Sequence, residues 1–298
     1  MRRALPACFF TAPIRGAWFL ALALAAAGCG GTSEPAPPLR VLTFNLRYGT
    51  AADGDDSWEH RTELVADTVR LADAHLIALQ EALDFQLAFL LERFPRYQAV
   101  GDYRERGPDG SGRGEWTGLL ADRERLQVLG HEAFWLSESP QEPGSVGWDA
   151  ALPRIAVQAH FGDRANGGEF EVLATHMDHR GAEARLQGAR MIAARAAAAP
   201  RPVIVLGDLN AGETEPPLAA LADAGLVDCF RVWNPEGPES GTFHGFSGKA
   251  GQRKIDFVLV GPGWEVLGAA IVRFAASGRY PSDHFPVSAA LRRAASGG

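Results

Sequence analysis

Polar residues stand at the ends of several apolar segments of this sequence, where solvated turns would need no mixture of acid, amide and imidazole. The segment VIVLGDLN, residues 203–210, runs from four apolar residues into Asp208 and Asn210. In the same way His176 ends FEVLATH and Glu81 ends LIALQE. Such groups ligate oxygen-preferring metals, move protons and hold phosphoryl oxygens. The pattern therefore predicts a catalytic site built at strand ends.

Four further residues extend this pattern towards both ends of the chain. Asn45 interrupts VLTFNL, Asp256 lies inside KIDFVLV, and Asp283 and His284 open DHFPV. Taken singly, each has an ordinary explanation, because an Asp before a strand is commonly a turn residue and an Asn in an apolar run commonly bonds locally. The repetition of one arrangement along the chain favours a shared site over a series of turns.

The intervening sequence predicts the elements that would position these residues. Helical spacing of apolar residues predicts helices at 58–73, 82–94, 182–199 and 216–225. Strands are predicted at 39–48, 75–81, 115–122, 126–136, 153–161, 169–177 and 203–210, with three more in the last 45 residues or so. We expect 115–122 and 126–136 to pair across a turn, and 153–161 and 169–177 to form a hairpin around ANGG. This order predicts an α/β sandwich of two β-sheets packed face to face with helices outside.

The motifs TFNLR, LQE, THMDH, GDLNA, KIDFVLV and SDHFPV together resemble those of the endonuclease/exonuclease/phosphatase family, in order and spacing, over roughly residues 39–292. The combination of GDLN with a downstream SDHFPV is the most specific part of the match. The resemblance implies a four-layer α/β sandwich with two mixed sheets. It also implies hydrolysis of a phosphoester by in-line attack of water.

The resemblance assigns Glu81 as the main metal carboxylate, with Asn45 and Asp283 on the metal side of the site. Mg²⁺ takes oxygen ligands and keeps several waters, so few protein carboxylates suffice, and Mn²⁺ is possible on the same ligands. The lack of a Cys/His cluster in the sequence argues against zinc. Asp283 directly precedes His284, so a regular strand would point the two side chains to opposite faces. A local bend is needed for both to reach one site.

For catalysis, the resemblance implies that His284 orients or deprotonates the attacking water, while Asp256 holds the other ring nitrogen. Asp208 would orient the nucleophile or protonate the leaving group. Asn210 would donate a hydrogen bond to a phosphoryl oxygen, and we expect it on the same face as Asp208 because strand positions i and i+2 share a face. His176 matches a family position that contacts the phosphate and could act as an acid.

Four more residues are candidates for substrate binding. Arg47 stands where deoxyribonuclease I has the Arg of its N-I-R motif and could grip a phosphate through its fork, although apurinic endonucleases carry an acid there. Glu115 precedes a strand as the acid that pairs with the first catalytic His does, with a surface glutamate as the alternative. His179 and Arg185 follow closely on His176, with helix capping and surface charge as the alternative.

The first 38 residues are predicted to lie outside the folded domain, which we place at 39–292. Basic residues precede a short apolar run at 17–27, and small residues then lead to Cys29. Because AAGC resembles a bacterial lipobox, we predict a signal peptide over 1–28, a lipidated Cys29 and a flexible tether over 29–38. An ordinary signal peptide is the alternative. The expected location is the bacterial cell envelope, anchored to a membrane through Cys29 at the outer membrane or periplasmic face, or secreted.

Charge limits the classes of partner. The chain carries a formal charge of −7, and loss of residues 1–28, which hold three arginines and no acidic residue, would leave −10. Proteins that grip long nucleic acids usually show a basic footprint. We therefore expect a monomeric, metal-dependent phosphodiesterase or phosphatase acting on a small, sugar- or lipid-linked phosphoester. An envelope nuclease for DNA or RNA is the alternative, and a non-catalytic lipoprotein that binds phosphorylated ligands is disfavoured by the presence of Glu81, Asp208 and His284.

Overall fold

Two six-stranded β-sheets form the centre of the fold. The computed structural model describes residues 36–235, 240–249, 251 and 253–294, so the predicted signal peptide, Cys29 and most of the predicted tether lie outside the described residues. In chain order the strands are β1 Leu39–Asn45, β2 Leu76–Ala82, β3 Tyr97–Arg106, β4 Gly112–Asp122, β5 Leu126–Trp135, β6 Ile155–Asp163, β7 Glu169–His176, β8 Val203–Asp208, β9 Val227–Asp228, β10 Asp256–Val260, β11 Trp264–Ile271 and β12 Val287–Arg293.

The helices connect these strands and cover the sheets. The described helices are α1 Trp58–Ala72, α2 Asp84–Arg93, α3 Ala182–Ala198, α4 Pro216–Asp223 and α5 Cys229–Trp233, with a short 3-10 turn at Gly54–Asp56. The first four confirm the predicted helices to within two residues at each end. None of the helices in the described part of the chain is long and apolar enough to cross a membrane.

Each sheet contains one parallel pair whose strands are joined through a helix. The strand orders are β11-β12-β1-β2-β4-β3 and β5-β6-β7-β8-β10-β9. β1 runs parallel to β2 across α1, and β7 runs parallel to β8 across α3. Because parallel strands end at the same edge of a sheet, each pair presents two carboxyl ends side by side.

Alternation along the strands divides the core into three layers of side chains. Val41, Val172 and Leu206 belong to the cluster between the two sheets. Their neighbours on the opposite faces pack against helices, as Leu42 does on the α1–α2 side and Val205 on the α3–α4 side. Strands buried on both faces explain the continuous apolar runs of the sequence. The order helix, sheet, sheet, helix confirms the four-layer α/β sandwich.

Strand pairing confirms one predicted hairpin and contradicts the other. β6 and β7 form the hairpin expected around ANGG. In contrast β4 pairs with β2 and β3 in the first sheet, whereas β5 pairs with β6 in the second. Arg125, between β4 and β5, is buried in a bidentate ion pair with Asp163 at the end of β6, which directs the chain into the second sheet. The segment 101–115, which lies outside the elements predicted from the sequence except for its last residue, forms most of a β3–β4 hairpin.

Gly207 is required where β7 and β8 approach each other next to the strand ends. A Cβ at this position would lie 2.0 Å from the Thr175 carbonyl oxygen. We expect Gly207→Ala to lower the free energy of unfolding by about 1–3 kcal/mol, the usual cost of overpacking, as measured by urea denaturation. Gly130→Ala in β5 is the matched control, because its Cβ would meet nothing within 4 Å. Equal stability of the two variants would contradict the close β7–β8 contact.

Candidate active site

The ends of the central strands of both sheets meet around a cleft of about 800 Å³. In the second sheet, Asp208 at the end of β8 is paired in register with His176 of β7 on one side and Asp256 of β10 on the other. Asp208 lies two positions beyond Leu206 of the inter-sheet core, so its side chain points between the sheets. The site is therefore the polar end of the inter-sheet core.

One buried amide connects the two sheets at this point. Asn45, at the end of β1, is fully buried. Its Nδ2 donates to Glu81 Oε1 at 3.1 Å and to Asp208 Oδ2 at 3.1 Å. Its Oδ1 accepts from the backbone amide of Arg47 at 2.9 Å. Because all three partners lie at separate places in the chain, Asn45 sets the spacing between the two groups of acidic residues.

Strained backbone conformations mark the residues that point into the cleft. Glu81, Arg47 and Asn210 are non-glycine residues with φ of 60°, 57° and 49°. Conformations of this kind cost about 1–3 kcal/mol each and persist only where surrounding contacts hold them. Glu81 sits where the β2–β4 register shifts, and its carboxylate is fixed by Asn45 and by the Tyr48 backbone amide, which donates to Oε2 at 2.9 Å. The strain directs these side chains towards the cleft.

Two imidazoles flank Asp208, and each is backed by a further carboxylate. His284 Nδ1 donates to Asp256 Oδ2 at 2.9 Å, and its Nε2 lies 3.9 Å from Asp208 Oδ2. On the other side, His176 Nε2 lies 3.6 Å from the same oxygen, and its Nδ1 lies 3.8 Å from Glu115 Oε2. The five side chains form a continuous row of alternating acids and bases.

Burial and neighbouring charge give the members of this row different proton affinities. Burial foremost, with repulsion from Asp256, raises the pKa of Asp208 to about 7. Burial opposes the charge of His284, but the carboxylates of Asp256, Asp208 and Asp283 together outweigh it and raise the pKa of this imidazole well above its usual value. Burial and the Arg154 guanidinium lower the pKa of His176 well below its usual value. At neutral pH the row thus holds a cationic His284, a neutral His176 and a carboxyl able to gain or lose a proton.

A second group of residues offers oxygen atoms alone. Asp283 and His284 both reach the cleft because residues 281–284 bend before β12 begins, which is the bend that the sequence analysis required. Burial and the Glu81 carboxylate raise the pKa of Asp283, and the closest guanidinium nitrogen, of Arg47, stands 3.8 Å away. Carboxylates brought together in this way fit a divalent cation. The oxygen donors of Asn45, Glu81 and Asp283 suit Mg²⁺ or Mn²⁺.

The row itself contains a group that could also hold a metal ion. Ligand atoms of Asp208, Asp256 and His284 lie within 4.8 Å of one another, and all three residues are buried. An ion there would compete with the proton that the same carboxylates keep on His284. Asn45, Glu81 and Asp283, here called the oxygen-donor group, include no histidine proton that an ion would have to displace. This group is therefore the better candidate for an ion that acts together with the row.

The structure brings together most of the twelve predicted site residues. Those lining the cleft are Arg47, Glu81, Glu115, His176, His179, Asp208, Asn210, Asp283 and His284. Asn45 and Asp256 lie behind them, in contact through hydrogen bonds. Arg185 does not line the cleft: its Nη1 donates to the Asp178 carbonyl at 3.0 Å and supports the loop that precedes α3.

Asn210 and Arg47 line the cleft, but their contacts differ from those predicted. β8 ends at Asp208, so Asn210 reaches the cleft from a turn and not through strand alternation, with its Nδ2 donating to the Met177 carbonyl at 2.9 Å. The fork of Arg47 is already used, because Nε and Nη2 donate to the two Asp53 oxygens at 2.9 and 2.8 Å.

Sequence reasoning missed the basic wall of the cleft. Arg104 Nη1 lies 2.9 Å from Glu115 Oε1, which shows that this glutamate is an internal partner and not a surface residue. Arg154 is buried, and it contacts Asp178 and the Nδ1 of His179 at 3.4 and 3.1 Å. A charged residue opening the apolar strand RIAVQAHF could have identified Arg154. Arg104 lies in β3, for which no strand was predicted.

Comparisons with known proteins agree with this geometry. The chain matches the model of the Endonuclease/Exonuclease/phosphatase family over residues 42–284. An endonuclease/exonuclease/phosphatase from Bacteroides vulgatus is 30% identical, with a TM-score of 0.79 over 86% of this chain and 99% of that chain. A mannosyl-6-phosphatase from Bacteroides thetaiotaomicron is 29% identical, with a TM-score of 0.76 over 85% and 99%. The human Nocturnin catalytic domain, 19% identical, shares the fold with a TM-score of 0.69 over 87% and 96%. A search among curated proteins returned no match.

The protonation of His284 can be measured directly. We expect NMR titration of the histidine side chains to show His284 protonated far above the ordinary range, because Asp256 holds the charge. Asp256→Asn should lower this pKa, since burial is then opposed only by the more distant carboxylates of Asp208 and Asp283. Asp67→Asn, the same change at a surface aspartate paired with Arg70, is the control and should leave His284 unchanged. A His284 pKa that Asp256→Asn does not lower would refute the assignment.

Proposed function

Because the chain belongs to the endonuclease/exonuclease/phosphatase family, whose members hydrolyse phosphoesters, we propose that it is a divalent-metal-dependent hydrolase of a small, sugar- or lipid-linked phosphoester. The observation that carries this proposal is the Asn45 amide, which joins Asp208 in the acid–base row to Glu81 in the oxygen-donor group. A phosphoryl group placed between the two groups would meet proton-transfer residues on one side and a cation site on the other.

We place the attacking water at Asp208. Its pKa of about 7 suits a group that accepts a proton at neutral pH, because catalytic acids and bases work best when their pKa lies near the operating pH. Asn45 Nδ2 donates to Asp208 Oδ2 at 3.1 Å, and the backbone amide of Asn210 donates to Asp208 Oδ1 at 2.8 Å. These two hydrogen bonds fix the orientation of the carboxylate. Asp208 would therefore orient the water and take its proton as the oxygen attacks phosphorus.

The two histidines would act as different kinds of donor. His284, kept protonated by Asp256, is a poor base, so we place it as a charged donor to a non-bridging phosphoryl oxygen in place of its predicted role as base. His176 is kept neutral by burial and by Arg154, and can offer one ring N–H to the phosphoryl group. Charge that develops on the phosphoryl oxygens would be met by both imidazoles.

Asn45, Glu81 and Asp283 would hold the divalent cation, with Mg²⁺ as the first choice and Mn²⁺ as an acceptable substitute. When bound, such an ion polarises the phosphoryl oxygens and stabilises the leaving oxygen. The protein fixes the ligands beforehand, because Glu81 Oε1 and Oε2 are already held by Asn45 and the Tyr48 amide. Arg47 Nη1 faces Asp283 and limits the repulsion between the two carboxylates.

Three observations support a sugar-linked substrate in particular. The mannosyl-6-phosphatase from Bacteroides thetaiotaomicron covers nearly the whole of this domain at 29% identity. Tyr48 and Phe243, 36% and 47% exposed, line the cleft and offer ring faces to a pyranose. Arg104, Arg154 and Arg253 line the same cleft and offer guanidinium groups to one phosphate, while the chain as a whole is acidic. This distribution suits a small phosphorylated molecule better than a long nucleic acid.

Loss of the Asp208 carboxylate or of the His284 imidazole should nearly abolish hydrolysis. We expect Asp208→Asn and His284→Ala each to lower kcat/KM by about 10²–10⁴-fold with a soluble phosphoester and Mg²⁺. Because Asp208 must be unprotonated to accept a proton, kcat/KM of the wild type should rise with pH through about 7. His131→Ala, at an exposed position of β5 outside the cleft, is the control. Unchanged turnover in both Asp208→Asn and His284→Ala would contradict the catalytic roles of these two residues.

A substrate panel separates a sugar phosphatase from a nuclease. We expect the highest kcat/KM with hexose 6-phosphates, lower values with glycerol phosphate and bis-p-nitrophenyl phosphate, and negligible cutting of plasmid DNA or RNA. Released phosphate and gel electrophoresis are the measurements, with Asp208→Asn as the blank for contaminating enzymes. Rapid degradation of plasmid or RNA at catalytic enzyme concentrations would show that the nuclease hypothesis is the right one.

A further inference from the structure

One buried guanidinium beneath the cleft has no part in the chemistry described so far. Arg61, in the first turn of α1, is 2% exposed and does not line the cleft. Its Nε donates to the Asp56 carbonyl at 3.0 Å. Its Nη1 donates to the carbonyls of Leu46 and Pro281 at 2.5 and 2.8 Å, and its Nη2 to the carbonyl of Arg47 at 2.8 Å. Four of its five N–H groups are thus used by backbone carbonyls.

Three of these carbonyls belong to the segments that carry Asn45 and Asp283. Leu46 and Arg47 directly follow Asn45, and Pro281 lies two residues before Asp283. The first segment lies near the start of the domain and the second near its end. Arg61 and Pro281 are 220 residues apart in the sequence. The guanidinium therefore ties the end of β1 to the bend that presents Asp283.

The backbone conformation of Arg47 shows why these hydrogen bonds from Arg61 are needed. Arg47 is held at φ 57°, a conformation that a non-glycine residue leaves when its contacts are lost. Its carbonyl accepts from Arg61 Nη2 and from Gln86 Nε2, and its amide donates to Asn45 Oδ1. Relaxation of this peptide would remove the Asn45 contact and turn the Arg47 guanidinium away from Asp283.

Two other roles for Arg61 fit the structure less well. Contact with a phosphate would require access to the cleft, which Arg61 does not line, and four of its five N–H groups are already used. A role through charge is the other alternative, since the carboxylates of Asp283, Asp53 and Glu81 interact electrostatically with the guanidinium. Its hydrogen bonds, however, are all made to backbone carbonyls in the described chain, which favours positioning. The ring faces of Trp58 and Phe246 lie 5.3 and 5.7 Å from its Cζ and hold the guanidinium in place.

We propose that Arg61 is a positioning residue, whose guanidinium holds the loop after β1 and the bend before His284 in one arrangement so that Asn45 and Asp283 are preset for a divalent cation. The proposal rests on the proposed function for the existence of the cation site. A lysine could not replace Arg61, because a single ammonium group cannot span carbonyls from three segments.

The test is calorimetric titration of the purified protein with Mn²⁺, which measures binding without turnover. Arg61→Met and Arg61→Lys should each bind Mn²⁺ about 10–100-fold more weakly than the wild type, the usual cost of losing a group that orients metal ligands. Arg125→Met is the matched control. Arg125 is also buried and also bonds a backbone carbonyl, that of Pro37, but it lies outside the cleft. This control should lose thermal stability and keep wild-type Mn²⁺ affinity.

Other results would overturn the proposal. Wild-type Mn²⁺ affinity in a folded Arg61→Met would show that Arg61 only stabilises the fold, and full recovery in Arg61→Lys would show that charge and not positioning matters. Absence of Mn²⁺ binding by the wild type would also overturn it. If Arg61→Met does not fold, Arg61→Lys carries the comparison. A wild type that binds Mn²⁺ but hydrolyses no phosphoester would count against the proposed function alone, because the calorimetry does not depend on turnover.

Discussion

The hydrogen bonds of the Asn45 amide are the interaction on which the whole site depends. Two sheets that pack face to face can slide relative to each other, since their shared core is apolar and non-directional. The Asn45 amide bonds Glu81 in its own sheet and Asp208 in the other, and so fixes the relative position of the two groups. Without this donor, Oδ2 of the buried Asp208 side chain would lose its hydrogen bond, which is costly.

Burial then determines how the site handles protons. Asp208 lies between two imidazoles that share its environment but differ in their second partner. His284 contacts Asp256 and is kept charged, whereas His176 lies near Arg154 as well as Glu115 and is kept neutral. The same low-dielectric surroundings raise the Asp208 pKa to about 7. One buried row of residues can therefore supply a charged donor, a neutral donor and a base.

Three residues with strained backbones lie where the two groups face each other. Arg47, Glu81 and Asn210 have left-handed conformations that unrestrained residues of these types rarely adopt. Each is held by several contacts, of which the Arg61 and Gln86 bonds to the Arg47 carbonyl are the clearest. The stability of the sandwich, with its three apolar layers, permits these local costs and makes a preset cleft possible.

The sequence by itself determined most of the elements, the sandwich and most of the candidate site, because apolar periodicity specifies which face of a segment is buried and the polar strand ends are local features. His176, Asp208, Asp256 and His284 could be identified without coordinates. The tertiary structure alone decided that β4 and β5 belong to different sheets, since both show the alternation that a hairpin would show. It also decided that Arg47 is occupied by Asp53, that Arg185 lies outside the cleft, and that Arg61 and Arg154 are internal. The reason is physical: a long charged side chain has the same pattern in sequence whether it meets solvent, a carboxylate or a carbonyl, and only the folded chain selects its partner.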